Sequence, residues 1–327
     1  MSISLPKFYA FALCCWLGTT LAAETNNTGP EQYLDFRIIG GDEAEPRQFK
    51  YHVYLETGWG FYLCGGGIIG DRYVLTAAHC VIDTRTDRFY DHPLRIVAGT
   101  DTRLNASSND HHYSSNGAVV LAVEQAYVPY MYRSSDIGDI ALLKLNGSLG
   151  LATNPNLRAL ELPRDQLLTY DDEEVLISGF GITWLKYYMA PSSSSADGTA
   201  APGHQSPAVV DGELSARLRY ARADVIPTQA CRKIYKRRQP VYYVQICTRL
   251  RQREYSRPEG VCVGDSGGPV VHNNRTIVGV VSRGPLSCSE LVVPARHTRV
   301  SPFVRFIDHA VHGTHDPDMM ARVHNFL

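Results

Sequence analysis

The sequence has no surplus of either charge: 32 Lys and Arg stand against 33 Asp and Glu, a net charge of −1 over 327 residues. A dedicated nucleic-acid binder needs a basic excess to meet phosphates, so no nucleic-acid partner is expected. Charged residues are only 20% of the chain and hydrophobic ones 44%. That balance excludes global disorder, which depends on low hydrophobicity and self-repulsion. It leaves apolar material for one large domain or two small ones. Membrane-spanning runs are also missing: Phe8 to Leu17 is apolar for about ten residues, where a spanning helix needs about 20. No internal repeat is evident.

That short apolar run has its own meaning. Lys7 precedes it and small residues, Thr20 to Ala23, follow it, the pattern of a secretory signal over residues 1–23. Removing it takes Cys14 and Cys15 away and leaves Cys64, Cys80, Cys231, Cys247, Cys262 and Cys288. An even set in a secreted chain implies disulfides, although six cysteines allow 15 connectivities. Glycosylation sequons at Asn26, Asn105, Asn146 and Asn274 fit the same compartment. The expectation is a secreted, extracellular glycoprotein without a membrane anchor.

Along the body, short β-type runs such as Tyr51 to Leu55, Gly67 to Leu75, Ile140 to Leu145 and Thr276 to Val281 alternate with turn residues. This spacing suggests an all-β sandwich or barrel. Ala190 to Gly212 is small, polar and rich in Pro and Gly, hence a loop. Cys231 to Arg257 carries nine Lys and Arg against one acid. It reads as a solvated basic face or, at 232–257, a polyanion contact. Phe303, Phe306, Ile307 and Ala310 recur at helical spacing, so a short amphipathic helix is predicted there, followed by a polar tail over 312–327.

Three motifs carry chemistry: LTAAHC at Leu75 to Cys80, DIALLKL at Asp139 to Leu145, and GDSGGP at Gly264 to Pro269. With His79, Asp139 and Ser266 in that order, the sequence resembles the chymotrypsin/trypsin-like serine proteases from Ile38 to about Ala310. A serine hydroxyl is a poor nucleophile at neutral pH and needs an adjacent base. An imidazole can take its proton and return it to the leaving amine, and a carboxylate holds the imidazole in the required tautomer. Asp136 competes for the carboxylate role, but the resemblance favours Asp139, directly before Ile-Ala-Leu-Leu. The resemblance further implies an oxyanion hole from the N–H groups of Gly264 and Ser266. It also implies two antiparallel six-stranded β-barrels, about 38–162 and 163–302, with a short C-terminal helix closing a protease domain over 38–311.

The start of the body adds to the resemblance. Arg37 before Ile38-Ile39-Gly40-Gly41 looks like a zymogen cleavage site, with 24–37 as the pro-segment and an upstream trypsin-like protease as activator. The freed Ile38 ammonium would pair with Asp265. The family framework pairs Cys64 with Cys80, Cys231 with Cys247, and Cys262 with Cys288. It places the specificity pocket at Gly260, Val261, Ser282, Gly284 and Ala295. Gly260 stands where a trypsin-type enzyme has Asp, so small or medium apolar residues are expected before the scissile bond.

Departures open alternatives. Arg283 replaces a common Trp, and with Arg296 it could select acidic residues, whereas a carboxylate such as Glu290 reaching the pocket would admit basic ones. The stretch Thr100 to Gly117 lacks a calcium-type glutamate pair, and His111 and His112 read as surface residues. No metal or cofactor is expected. Polypeptide substrates and protein inhibitors are the implied partners, for a monomer. The rival reading is a non-cleaving homologue that binds a partner.

Overall fold

The computed structural model describes residues 41–103, 117–133, 137–183, 186–188, 208–235, 240–251, 259–285, 288–290, 292–313 and 321–327. The first barrel is formed by β1 (His52–Thr57), β2 (Tyr62–Gly70), β3 (Tyr73–Thr76), β4 (Leu94–Ala98), β5 (Val119–Pro129) and β6 (Ala141–Leu145). Its strands are ordered β5-β4-β1-β2-β3-β6, and β5 pairs with β6 to close the ring. The second barrel contains β7 (Glu174–Gly179), β8 (Arg219–Ile226), β9 (Gln245–Leu250), β10 (Pro269–His272), β11 (Thr276–Arg283) and β12 (Ala295–Arg299). Here the order is β8-β7-β10-β11-β12-β9, closed by β8 on β9. All these pairings are antiparallel, as expected from the sequence.

Alternation along the strands fills each interior. In β8, Ala221, Ala223 and Val225 are buried while Arg222 is exposed. Val53, Leu55, Ile68, Val74 and Ile96 line the first barrel at 1% exposure or less. Burying one such side chain stabilises by about 2 kcal/mol, so the period-2 pattern fixes which face turns inward.

The barrels meet where β2 runs through Gly65-Gly66-Gly67. A Cβ on Gly65 would lie 3.0 Å from Gly268 Cα, and one on Gly67 would lie 3.2 Å from Pro269 Cβ. Bare backbone lets the first barrel approach the segment that carries Ser266. The first and last described segments cross between the barrels. Asp42–Glu43 pairs with Tyr220 and Arg219 of the second barrel. Ala321–Asn325 pairs with Pro129 to Gln125 of the first. That last strand lies within the segment expected to be a polar tail. Arg322 holds it to Asp87 at 3.0 Å, and His324 stacks on Phe89 at 5.0 Å.

Two helices flank the barrels. The predicted C-terminal helix is α2 (Val304–His312), with Phe306 and Ile307 buried; it ends at Gly313, whose φ of 68° suits glycine. The other helix, α1 (Thr228–Tyr235), places Arg232 and Lys233 in its last turn, where the helix dipole favours cations. No helix among the described residues is long and apolar enough to cross a membrane.

All three disulfide pairings implied by the family framework are present, closing sequence separations of 16, 16 and 26 residues. Cys231–Cys247 ties α1 to β9. Replacing both cysteines with alanine should lower the unfolding free energy by about 3 kcal/mol, as read by urea denaturation. A loss under about 1 kcal/mol would mean that packing alone holds α1.

Candidate active site

The segment after β3 turns sharply at Ala78–Cys80 and presents His79, half-buried, at the barrel junction. Cys80 of the same turn is bonded to Cys64 of β2, which stops the turn from swinging. The two sulfurs and a ring nitrogen of His79 lie within 4.8 Å of one another. Both sulfurs are committed to the disulfide, so this cluster braces the imidazole and offers no thiolate to a metal.

Asp139, just before β6, is only 3% exposed. Its Oδ1 accepts the His79 backbone N–H at 3.0 Å and its Oδ2 lies 2.8 Å from His79 Nδ1. The second barrel contributes as well: Ser282 Oγ donates to Asp139 Oδ2 at 2.6 Å, and Thr298 Oγ1 donates to the Asp139 carbonyl at 2.7 Å. Burial would raise the carboxyl pKa, but the His79 charge and these hydrogen bonds outweigh it and hold Asp139 low. For His79, burial disfavours the charged ring. The Asp139 charge and hydrogen bond overcome that and raise its pKa, while the Arg283 charge pulls the other way. Asp136 lies outside the described residues.

Ser266 is half-buried on a turn between Gly264 and Gly267, whose φ values are +94° and +77°. Positive φ is the reason glycine is required at both positions. The turn is pinned to the first barrel by Gly65 N–H donating to the Ser266 carbonyl at 2.8 Å. A Cβ on Gly267 would meet Thr76 Oγ1 at 2.2 Å and Ala77 N at 3.2 Å. The serine turn therefore abuts the segment leading into the His79 turn. Tyr62, which sequence reasoning passed over, donates its hydroxyl to the Gly264 carbonyl at 2.5 Å. Thr298 was missed too. Neither has a local motif, because each acts through a partner more than 150 residues away.

Asp265 is fully buried, its side chain directed beneath this turn. Its Oδ1 accepts Gly181 N–H and its Oδ2 accepts Cys262 N–H, both at 2.9 Å. Burial pushes its pKa up to about 6 despite those bonds. Gly179 and Gly181 make room, since a Cβ on either would lie 2.1 or 2.5 Å from Asp265 side-chain atoms. Arg37 and Ile38 lie outside the described residues.

Of the residues expected to form the pocket, Ser282 also donates its hydroxyl to Asp139. Val261 and Ala295 are buried, at 1% and 0% exposure. A Cβ on Gly284 would lie 2.7 Å from the Val261 carbonyl. A Cβ on Gly260 would strike the Cys288 carbonyl at 2.4 Å and approach Glu290 Cγ at 3.2 Å. Glu290 is fully buried, with Oε1 accepting Val261 N–H at 3.0 Å and Oε2 accepting Leu250 N–H at 2.9 Å. Burial raises its pKa to about 8 even with these bonds and one from Ala295 N–H. Arg296 is 6% exposed with its guanidinium carbon 4.5 Å from the Tyr235 ring centroid, whereas Arg283 is exposed.

In the basic stretch, Arg232 donates to the Val241 carbonyl, and Arg251 pairs with Asp224 at 2.5 Å and also with Glu174. Asn146 and Asn274 are exposed. Asn26, Asn105, His111, His112 and most of Ala190 to Gly212 lie outside the described residues.

Known proteins resemble this chain over most of its length. The family model described as Trypsin matches residues 38–202 and 191–307. The chain is 31% identical over 271 residues to Serine protease SP24D of Anopheles gambiae, covering 83% of this chain and 80% of that protein. It is 26% identical over 283 residues to Protein masquerade of Drosophila melanogaster, covering 84% of this chain. It spans only 23% of masquerade's length. Among solved structures, neuropsin, described as a serine protease expressed in the limbic system of mouse brain, matches with a TM-score of 0.60. That likeness has 21% identity, covers 83% of this chain and 99% of the other, and bears on the fold alone.

The His79–Asp139 contact yields a direct titration test. In Asp139→Asn the imidazole keeps its burial and loses the negative charge, so its pKa should fall below the ordinary value of 6.5. NMR titration of the His79 ring protons reads this. An unmoved pKa would show that the carboxylate does not govern the ring.

Proposed function

Given that the chain belongs to the trypsin family of serine proteases, we propose that it is a secreted serine endopeptidase, made as a zymogen and activated by cleavage after Arg37. The observation that carries this reading is Asp139. Its one carboxylate takes the His79 ring from the first barrel and the Ser282 hydroxyl from the second, next to a glycine-flanked serine turn. A structural carboxylate would need neither the half-exposed imidazole nor the glycine-flanked serine turn nearby.

In the proposed reaction Ser266 Oγ attacks the scissile carbonyl as His79 Nε2 takes its proton. Asp139 keeps the Nδ1–H pointed at itself and stabilises the imidazolium that forms. The tetrahedral oxygen, now negative, is received by the N–H groups of Gly264 and Ser266, each worth about 3 kcal/mol in the transition state. His79 then protonates the leaving amine, leaving an ester on Ser266. Water, deprotonated by the same imidazole, attacks that ester and regenerates the serine.

Activation follows from the burial of Asp265. A carboxylate sealed from water with only two N–H partners among the described residues is costly in its charged form. The ammonium freed on Ile38 by cleavage is the proposed counter-charge. Pairing would favour the ordered turn from Cys262 to Ser266 and with it the oxyanion hole.

For selectivity, the proposed pocket is apolar and reduced. Gly260 has no room for a longer side chain, and Val261 and Ala295 belong to the buried apolar interior of the second barrel beside it. Glu290 supports the floor by accepting backbone N–H groups, and a pKa raised to about 8 leaves it without a counter-charge for a basic side chain at neutral pH. The stacking of Arg296 on Tyr235 supports a pocket in which Arg296 does not select an acid directly before the scissile bond. Polypeptides, a trypsin-like activator and protein inhibitors are the proposed partners.

The test is to cut the purified precursor after Arg37, label it with a serine-directed phosphonate, and sequence its cuts in a mixed peptide library. Ser266→Ala serves as the control. Labelling at Ser266 and cuts after Ala, Val, Leu or Met are expected, with the variant reduced at least about a thousandfold. A chain with a free Ile38 terminus that neither labels nor cuts would be a binding homologue instead.

A further inference from the structure

The structure shows what replaces the aromatic wall expected after Ser282. β11 pairs with β10 only as far as Val280, and the contacts Gly267 N–H to Val281 O and Val281 N–H to Gly268 O end that ladder. Beyond it, Ser282, Arg283 and Gly284 lack a strand on that side among the described residues. The pairing with β12 also shifts register between Val281 and Arg283, an irregularity that re-aims side chains at a strand end. This strand end can accept an extended peptide edge to edge.

Its two ends are fixed by the site. Ser282 donates to Asp139 at 2.6 Å, and Gly284 borders Val261 of the proposed pocket. A peptide seated in that pocket with its carbonyl at Ser266 would run its preceding residues past Arg283. Arg283 is exposed, and its charge acts on both His79 and the buried Tyr132. Arg133, also exposed and lying over Tyr130 at 4.6 Å, follows Tyr132 in the chain.

We propose that Arg283 makes this protein select an acidic side chain two to four residues before the scissile bond, separately from the apolar choice in the pocket. The inference rests on the endopeptidase reading. It differs from acid selection at the bond itself, because Arg283 stands at the open strand end on the His79 side. A guanidinium there can meet a carboxylate by a charge-assisted pair. Since the site is solvent-facing, the gain is modest, about threefold to tenfold in kcat/KM.

The experiment uses the full chain cut after Arg37 and peptides with Val before the bond, carrying Glu, Gln or Lys in turn at the second, third and fourth positions before it. Glu should exceed Gln by about threefold to tenfold at one of these positions and lose that advantage as salt rises. Arg283→Gln should erase the preference, and Arg283→Glu should turn it toward Lys. Equal rates with Glu and Gln, or a preference that survives Arg283→Gln, overturns the proposal. A second arm does not depend on hydrolysis: binding of the Glu and Gln peptides to the cut Ser266→Ala chain, with and without Arg283→Gln. Arg283-dependent Glu binding in a wild-type chain that cuts nothing would sink the endopeptidase reading and leave the groove charge standing. Equal binding in this arm, with normal cutting by the wild type, would do the reverse.

Discussion

A carboxylate sealed beneath the serine turn, Asp265, sets the terms for the rest of the site. Both of its oxygens are held by backbone N–H groups, from Gly181 in a distant loop and from Cys262 in its own turn, while its own carbonyl accepts Gly268 N–H at 3.0 Å. The side chain thus ties the serine turn to the Gly179–Gly181 segment. Two of the glycines around it, Gly179 and Gly181, leave space that no Cβ could share. Because burial disfavours its charge, this tie is tightest when that charge is either absent or matched. A matched charge is what the proposed Ile38 ammonium supplies, which gives proteolysis at Arg37 a physical route to the conformation of Gly264 and Ser266.

Asp139 performs a different joining task. It receives His79 from one barrel and Ser282 and Thr298 from the other, so the relative placement of the barrels is read out on a single residue. The glycines of β2 allow the close approach, and Cys64–Cys80 fixes the histidine turn against it. The crossing end segments strengthen the same junction, since the first pairs with the second barrel and the last with the first. Function at such a seam depends on many weak contacts acting together. It also explains why side chains as ordinary as Ser282 and Thr298 take part.

Much of this was readable from the chain itself. The serine, histidine and aspartate motifs are local, so their resemblance to those of the chymotrypsin/trypsin-like proteases could be seen in the sequence. Period-2 runs announced the strands, and Phe303, Phe306 and Ile307 announced α2. What escaped was made by tertiary contact. Tyr62 sits in an unremarkable strand until folding brings Gly264 to its hydroxyl. The sequence could not show that the Ser282 hydroxyl turns to Asp139. Arg296 offered a cation beside the pocket, yet Tyr235 from a distant helix takes its face. The strand Ala321–Asn325 carries little apolar pattern, and its register comes from backbone pairing with β5 and from Arg322 and His324. Helix α1, TQACRKIY, is only eight residues long and buries mainly the disulfide-bonded Cys231, so it has few apolar residues to mark it in the sequence.

The most direct measurement compares unfolding free energy against pH for the uncut chain, the chain cut after Arg37, and Asp265→Asn in each form. In the uncut chain the folded-state pKa of Asp265, about 6, lies above the ordinary aspartate value of 3.8. The folded state then holds the extra proton. Its stabilising contribution is full below about 4 and is lost as pH rises through about 6, on the order of 3 kcal/mol. In the cut chain a paired carboxylate reverses the sign, adding stability above about 4 that disappears on acidification. The account predicts that the wild-type-minus-Asn difference changes sign between uncut and cut forms. A difference with the same sign and slope in both would contradict the claim that the freed ammonium compensates this buried charge.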